Sequence, residues 1–252
     1  MTEPARLAIL DWGIGGVGVL RALRRRAPEV PVLYLSDSGF RPYGLLSPSA
    51  LRARVSRLVR YLSEAGATSV VVACNAASTV LDTLATDIPV LGVIEPALAL
   101  VPKSFRGTLG ILGGRRTIRS QLYRRGLELP GRRIVQRIAQ PLSAHIEAGS
   151  TESAQCSRDL DRILAPLHGA DALLLACTHY PAIGPLIAAR APDAQLLDPA
   201  DRVVEQLLAK FPLPSRKAPD RVLTTGDARG TRAAATRAWS FELGSCARVW
   251  IE

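Results

Sequence analysis

Residues 7 to 23 read LAILDWGIGGVGVLRAL and combine a short apolar run, a glycine-rich turn and an amphipathic stretch. The apolar run 7–10 predicts a buried strand, and the pattern from about Gly16 onward predicts a helix. Strand-like and helix-like segments alternate in the same way along almost the whole chain. Alternation of this kind is typical of parallel sheets with helices on both faces, so we expect an α/β fold.

The glycines of this stretch leave two interpretations open. Gly13, Gly15 and Gly18 fit the pattern G-x-G-x-x-G of dinucleotide-binding turns. Asp37, at the end of the second predicted strand, stands about where a ribose-binding acid is expected. Asp11, however, would then place a negative charge beside the pyrophosphate. Of the two interpretations, we therefore favour a turn that directs Asp11 into a cleft. The alternative is the nucleotide site of a nicotinamide-dependent oxidoreductase.

The predicted strands fall into two groups separated by a break near residues 102–106. They lie at 7–10, 32–36, 69–73 and 89–93 before the break, and at 108–112, 133–138, 172–176, 195–198 and 221–225 after it. Helices are predicted from about Gly16 and at about 48–65, 77–86, 115–127, 153–167, 181–190, 200–211 and 229–239. The segment 211–220 is rich in proline and charge, which is typical of a linker. We expect two pseudo-symmetric lobes, 1–102 plus 212–252 and 103–211, each a mostly parallel sheet flanked by helices, with the active site in the interlobe cleft.

The composition argues against several classes of protein. With 252 residues, 48% of them hydrophobic, the chain can bury a sizeable core. We find no apolar run long enough to span a membrane and no secretory signal, so we expect a cytoplasmic protein. The net charge of +10 comes mostly from arginines spread over the predicted helices, and no nucleic-acid-binding motif accompanies it. We therefore expect neither nucleic acid nor a membrane as a partner.

Two of the four cysteines occupy matched positions. SVVVA (69–73) leads into Cys74, and ALLLA (172–176) leads into Cys177, about half a chain apart. This repeated pattern of a strand followed by a cysteine indicates an internal duplication. Cysteine is often a core residue, but α/β folds place functional groups at such strand ends, and helix N-termini make thiols reactive. The cysteines form no C-x-x-C pair and the histidines lack zinc-ligand spacing, so no metal site is expected.

Two thiols that face each other across a cleft suit the inversion of a carbon stereocentre. One thiolate removes a proton from one face of the carbon, and the opposite thiol returns a proton to the other face. This scheme requires neither a metal nor an organic cofactor. Asp11, at the end of the first strand, and His179, two residues beyond Cys177, are candidates to accept or relay protons for the thiols. A helix N-cap for Asp11 and a backbone-bonded helix start for His179 are the structural alternatives.

The chain resembles the glutamate racemases of the cofactor-independent aspartate/glutamate racemase superfamily. The matching stretches are LDWGIGGVGVLRAL, YLSDSGFRPYG, VVACNAASTVLDTL, IPVLGVIEPA, GTLGILGGRRTIRSQLY, AQPLSAHIEAG, LLLACTHYPAIGPLI, LLDPADRVVEQL and TTGD. They cover nearly the whole chain, in the family's order. The resemblance implies a two-lobed fold and an isomerase that interconverts L- and D-glutamate, or a related amino acid, without a cofactor. It also implies a role in peptidoglycan and cell-wall biogenesis. An amino acid or dicarboxylate is the expected partner, and a homodimer is an assembly to be tested.

The resemblance also implies roles for individual residues. Cys74 and Cys177 resemble the two acid/base thiols of the family, and Asp11 and His179 resemble the groups that assist them. The residues expected to bind substrate are Trp12, Pro42, Tyr43, Gly44, Asn75, Ala76, Glu95, Thr117 and Thr178.

This chain departs from the family pattern at three places. Trp12 stands where the family usually has serine, Ala76 where it usually has threonine, and Gly114 near another usual threonine. A hydrogen bond to a charged group is worth about 1.5–3 kcal/mol, so the first two changes together predict glutamate binding weaker by ~10²-fold. The preferred substrate therefore stays open. A decarboxylase or isomerase of the superfamily acting on another carboxylic acid, and a non-catalytic regulator with this fold, are the alternatives, although two cysteines favour two-sided proton transfer.

Overall fold

The computed structural model describes residues 4–214 and 218–252. Its strands are β1 Arg6–Asp11, β2 Val32–Ser36, β3 Ala67–Val72, β4 Val90–Gly92, β5 Gly107–Gly113, β6 Arg132–Ile138, β7 Ala172–Ala176, β8 Gln195–Leu197, β9 Arg221–Thr224 and β10 Cys246–Arg248. Its α-helices are α1 Val17–Arg26, α2 Pro48–Glu64, α3 Asn75–Ser78, α4 Ile94–Leu98, α5 Arg115–Ser120, α6 Leu122–Leu127, α7 Gln140–Ala148, α8 Ala154–Leu164, α9 Gly184–Ala188, α10 Ala200–Lys210 and α11 Ala228–Trp239. Turns of 3-10 helix lie at Tyr43–Leu45, Leu81–Thr83, Ala165–Leu167 and Tyr180–Ile183.

The strands form two parallel sheets with related strand orders. The first sheet has the order β10-β9-β2-β1-β3-β4, and the second has the order β6-β5-β7-β8. The run β2-β1-β3-β4 thus corresponds to β6-β5-β7-β8, strand for strand. The predicted pseudo-symmetric α/β fold is confirmed. The lobe boundaries at 102/103 and 211/212 stay a prediction, and the proposed linker 211–220 lies partly outside the described residues.

Packing connects the two sheets through one hydrophobic core. All six residues of β1 are buried, as expected of a central strand covered on both faces. One core cluster joins Leu7 and Ile9 of β1 with Leu173 and Leu175 of β7. Helix α10 packs against α1 and α4, so helices as well as strand ends connect the lobes. Among the described residues, no helix is both long and apolar enough to cross a bilayer.

Several helices differ from their predicted extents. The stretch predicted at 115–127 is divided into α5 and α6, because Gln121 adopts a left-handed conformation with φ of 58°. The helix predicted at 77–86 is the short α3 followed by a 3-10 turn. Elements α4, α7 and β10 were not predicted. Helix α7 nevertheless carries boundary signals, with proline in its first turn and Gly149 at φ of 69° after its last residue.

A buried ion pair holds the loop that follows β2. The carboxylate of Asp37, which is fully buried, pairs with the Arg54 guanidinium at 2.7 Å. The same carboxylate accepts hydrogen bonds from the hydroxyls of Tyr43 (2.7 Å) and Thr225 (2.9 Å). With both oxygens occupied, Asp37 cannot bind a ribose, which argues against the dinucleotide interpretation. Its role is instead to anchor Tyr43 at the start of a 3-10 turn.

Replacing Arg54 tests how much the fold depends on this ion pair. Arg54→Ala leaves the Asp37 carboxylate buried without its cation, which should lower the free energy of unfolding by about 3–5 kcal/mol. Arg57→Ala, an exposed arginine of the same helix, should change it by no more than about 0.5 kcal/mol. Urea denaturation measures both. Equal effects of the two substitutions would show that the buried pair contributes nothing specific.

Candidate active site

The carboxyl ends of four strands open onto one cavity. Its volume is about 500 Å³, and its lining includes residues that follow β1, β3, β5 and β7. Of the predicted site residues, Asp11, Trp12, Pro42, Tyr43, Gly44, Cys74, Asn75, Ala76, Thr117, Cys177, Thr178 and His179 line it. A cavity bounded by equivalent strand ends of two sheets brings together groups that are far apart in sequence.

Cys74 lies beside Asp11 because their strands are parallel neighbours. The N–H of Ala73 donates to the carbonyl of Leu10 at 2.8 Å, which extends the β1–β3 pairing up to the cysteine. Burial, and then the negative charge of Asp11, raise the pKa of the Cys74 thiol well above its usual range. The thiol of Cys74 therefore keeps its proton to higher pH than an exposed cysteine does.

Asp11 combines a structural contact with its place in the cavity. Its carboxylate accepts hydrogen bonds from the N–H groups of Trp12 (2.7 Å) and Gly16 (2.6 Å), and Gly16 precedes α1. Burial raises the pKa of Asp11 above its usual value, although these N–H groups and the charge of His179 oppose the shift. The N-cap of α1 is Gly16, so Asp11 is not the helix N-cap that the structural alternative predicted. Its carboxyl group is bonded to the N–H of Gly16 and positioned to exchange a proton with Cys74.

Cys177 is half-buried and has an imidazole for a neighbour. His179 Nδ1 lies 3.8 Å from Cys177 Sγ, and His179 Nε2 lies 2.7 Å from Glu147 Oε1. Burial alone would lower the pKa of His179, but hydrogen bonds to Cys177 and Glu147 and the charge of Glu147 outweigh it and raise the pKa well above its usual value. Burial would raise the pKa of Glu147, but its bond to His179 holds that pKa below its usual value. The pair is therefore charged and can relay protons at Cys177.

The glycine-rich turn makes room for the second lobe. A side chain at Gly13 would collide with the Glu147 carboxylate. A Cβ at Gly15 would lie 2.5 Å from Thr178 Oγ1 and 2.6 Å from His179 Nδ1. The N–H of Ile14 donates to Glu147 Oε1 at 2.9 Å. The turn thus fits against protein groups where a dinucleotide site would need space for a pyrophosphate.

Two polar side chains in the cavity are oriented by partners behind it. The hydroxyl of Tyr123 donates to Asn75 Oδ1, so the amide nitrogen of Asn75 is turned the other way. That nitrogen is buried and has no hydrogen-bond partner in the described part of the chain. Thr178 Oγ1 lies 3.4 Å from an oxygen of Asp11. Asn75, next to Cys74, is thus held at its amide oxygen and has a buried amide nitrogen without a hydrogen-bond partner.

Trp12 borders the cavity without offering it a polar group. Its indole N–H donates to the carbonyl of Phe40 at 3.1 Å, and its ring packs against the hydrophobic core of the first lobe. Ala76, on the first turn of α3, is also apolar. On this side the lining provides bulk and apolar surface in place of hydrogen bonds.

The expectation for Glu95 has to be corrected. Its side chain is exposed, it does not line the cavity, and it forms an ion pair with Lys210 at 2.9 Å. Helix α4 turns Ile94, Pro96 and Ala97 toward the core, which directs Glu95 to the surface. Glu95 therefore makes no contact with a substrate in the cavity.

Several lining residues were not predicted as site residues. They are Gly114, Arg116, Gln140, Ser143, Ala144, Glu147 and Ala148. Five of them lie on α7, the helix missing from the predicted elements. The stretch AQPLSAHIEAG was recognised only as part of the resemblance, and its Pro141 and Gly149 are the signals that could have identified the helix. Among the described residues, no cluster of three or more His, Cys, Asp or Glu side chains could hold a metal ion.

The fold and cavity define a two-lobed α/β enzyme with two acid/base thiols. The chain matches the family model described as Asp/Glu/Hydantoin racemase over residues 17–207. It is 35% identical over 239 residues to a glutamate racemase of Stutzerimonas stutzeri, covering 88% of this chain and 89% of that one. It is 34% identical over 253 residues to one of Pseudomonas paraeruginosa, covering 96% and 90%. The chain belongs to the Asp/Glu/Hydantoin racemase family.

Solved structures agree with this assignment. A glutamate racemase isoform from Bacillus anthracis superposes with a TM-score of 0.87 at 27% identity, covering 97% of each chain. A glutamate racemase from Thermus thermophilus, in complex with β-chloro-D-alanine, gives a TM-score of 0.82 at 30% identity, covering 97% of this chain and 96% of that one. The two-lobed architecture is therefore shared over essentially the full length.

Replacing Glu147 tests the charged pair at Cys177. Glu147→Gln keeps a hydrogen-bond acceptor for His179 but removes the charge that stabilises the imidazolium, so the pKa of His179 should fall toward or below its ordinary value. NMR titration of the histidine ring protons measures this shift. The exposed His168 lies outside the cavity and is an internal control, whose ring-proton signals should be the same in both proteins. An unchanged His179 midpoint would show that Glu147 does not set the pKa of this imidazole.

Proposed function

We propose that this protein is a cofactor-independent glutamate racemase in which Cys74 and Cys177 act as the two acid/base groups. The observation that carries the proposal is that both thiols, from matched ends of β3 and β7, line one cavity. The glutamate racemases that resemble the chain over most of its length support glutamate as the substrate. A decarboxylase or isomerase of the superfamily would need only one of the two thiols, and a regulator would need neither. The presence of both thiols on the cavity therefore favours the racemase over these alternatives.

In the proposed reaction, each direction begins with one thiolate and one thiol. The thiolate accepts the α-proton of the amino acid, and the opposite thiol donates a proton to the other face of the same carbon. The substrate thus loses one proton and gains one, and the two sulfurs exchange protonation states. Asp11 then exchanges a proton with Cys74, and His179 with Cys177. Asn75, whose amide nitrogen has no hydrogen-bond partner among the described residues, is the residue next to Cys74 that would contact the substrate.

Removal of each thiol tests the mechanism directly. In heavy water with a chelator and no added cofactor, the wild-type protein should incorporate deuterium at the α-carbon of glutamate as it racemises. Cys74→Ala and Cys177→Ala should each lower racemisation by about 10²- to 10⁴-fold, because each removes one acid/base partner. Cys246→Ala, in β10 and away from the cavity, is the matched control and should keep wild-type activity. Proton NMR and chiral chromatography measure exchange and racemisation.

Two outcomes would contradict the proposal. Either single alanine variant retaining full racemisation would exclude the two-thiol scheme. Loss of wild-type activity on dialysis against chelator, with recovery on adding a metal or organic cofactor, would exclude the cofactor-independent assignment.

Restoring the hydroxyls of the family pattern tests the fit of glutamate. Trp12→Ser combined with Ala76→Thr should raise kcat/KM for glutamate by about tenfold or more, since each hydroxyl can bond a charged substrate group. The two sites border one cavity, so their effects should not simply add. Trp12→Phe keeps the bulk without a hydroxyl and should give no gain. If the double variant is slower than an efficient wild type, Trp12 and Ala76 are compatible with glutamate, and the expectation of weakened binding is wrong.

We place this activity in the cytoplasm, where D-glutamate would serve peptidoglycan synthesis. The homodimer stays a prediction, which analytical ultracentrifugation would test. Neither assignment bears on the chemistry of the thiols.

A further inference from the structure

The charges that line the cavity leave one cation for the substrate. In the described part of the chain, the acidic residues of the lining are Asp11 and Glu147, and the basic side chains are His179 and Arg116. His179 is already paired with Glu147. A dicarboxylate entering the cavity therefore finds a single unengaged cation, the guanidinium of Arg116.

Arg116 is placed by the second lobe and reaches the first. It lies in the first turn of α5 and is half-buried. Its Nε donates to Thr79 Oγ1 at 3.4 Å, and Thr79 follows α3. Within the described residues, its two terminal amino groups have no hydrogen-bond partner, and no carboxylate forms an ion pair with it. The side chain is thus oriented at one nitrogen while its other donors remain available.

A neighbouring cavity shows which end of the site Arg116 occupies. This outer cavity, of about 470 Å³, is lined by Gly44, Leu45, Leu46, Ser47, Arg115, Arg116 and Arg119. Only Arg116 and Gly44 line both cavities, whereas the two thiols line the inner one alone. Arg116 therefore lies at the boundary of the inner cavity, away from the reacting carbon between the sulfurs.

We propose that Arg116 binds the distal carboxylate of the substrate and makes the site selective for dicarboxylic amino acids. The inference rests on the proposed function and extends it to substrate selection. A guanidinium presents two parallel N–H donors that match a carboxylate, and such charge-assisted pairs are among the strongest hydrogen bonds in proteins. Trp12, whose indole N–H is bonded to the Phe40 carbonyl, and Ala76 also line the inner cavity and offer it no competing side-chain donor. Arg116 is a specificity-determining residue and transfers no proton.

A comparison of two amino acids that differ only at the distal group tests the inference. D-Glutamate and D-glutamine have nearly the same shape, but glutamine carries a neutral carboxamide. Arg116→Ala should lower kcat/KM for glutamate by about tenfold to a hundredfold, mainly through KM, and change that for glutamine by less than about threefold. Arg116→Lys keeps the charge and should recover part of the loss. Arg125→Ala, an exposed arginine of α6 that lines neither cavity, should behave as the wild type.

A binding measurement separates this inference from the reaction itself. Calorimetry of glutarate and of its monoamide needs no turnover. The wild type should bind glutarate more tightly, and Arg116→Ala should abolish the difference. Loss of affinity for both compounds alike, unchanged glutarate affinity in Arg116→Ala, or no glutarate binding by the wild type would overturn the inference. Glutarate binding that depends on Arg116, in a protein that exchanges no α-proton of glutamate, would instead leave the inference standing and refute the proposed function.

Discussion

The carboxylate of Glu147 joins the first turn of the chain to the imidazole beside the second thiol. One oxygen, Oε1, accepts the N–H of Ile14 at 2.9 Å and faces Nε2 of His179 at 2.7 Å. This contact requires glycine at position 13, because any side chain there would displace the carboxylate. It also orients the imidazolium of His179, whose other nitrogen lies 3.8 Å from Cys177 Sγ. One carboxylate therefore both contacts the turn after β1 and sets the protonation of the imidazole beside Cys177.

The two halves of the structure share a frame but differ in the chemistry that surrounds each thiol. Cys74 follows β3 of the first sheet, and Cys177 follows the equivalent strand β7 of the second sheet. Cys74 meets a buried carboxyl group at the end of β1, whereas the equivalent strand β5 ends in Gly113 and contributes no acid. The partner of Cys177 is the imidazole of His179, two residues further along the sequence. A reversible two-sided proton transfer needs two thiols, but it does not need them to be assisted alike, and here each has a partner of different charge.

The strand ends could be predicted from sequence because they follow from local pattern and parallel pairing alone. Cys74, Cys177 and Asp11 each come after a continuous apolar run, and the carboxyl ends of neighbouring parallel strands must meet. Glu147 and Arg116 could not be found in this way, since their roles come from contacts between lobes that no single segment encodes. The expectation that Glu95 binds substrate fails for a related reason. A motif gives a position in the chain, but the rotation of α4 decides that Glu95 faces outward while its neighbours face the core.

Charge balance in the cavity depends on protons held by the protein. Asp11 and Glu147 lie near the place where a substrate with two carboxylates of its own must bind, and like charges at low dielectric repel strongly. The pKa shifts counter this repulsion: burial raises the pKa of Asp11 and Cys74, so both retain protons to higher pH, and the pKa of His179 is raised so that its imidazolium persists beside Glu147. Each of these three shifts reduces the negative charge of the site at a given pH, whereas the lowered pKa of Glu147 keeps that carboxylate charged. The same groups that balance the charge are those that we propose to exchange protons with the two sulfurs. For this reason a substitution at Asp11, Glu147 or His179 alters both the acidity of the site and its charge balance, whereas a substitution at Arg116 alters the charge balance alone.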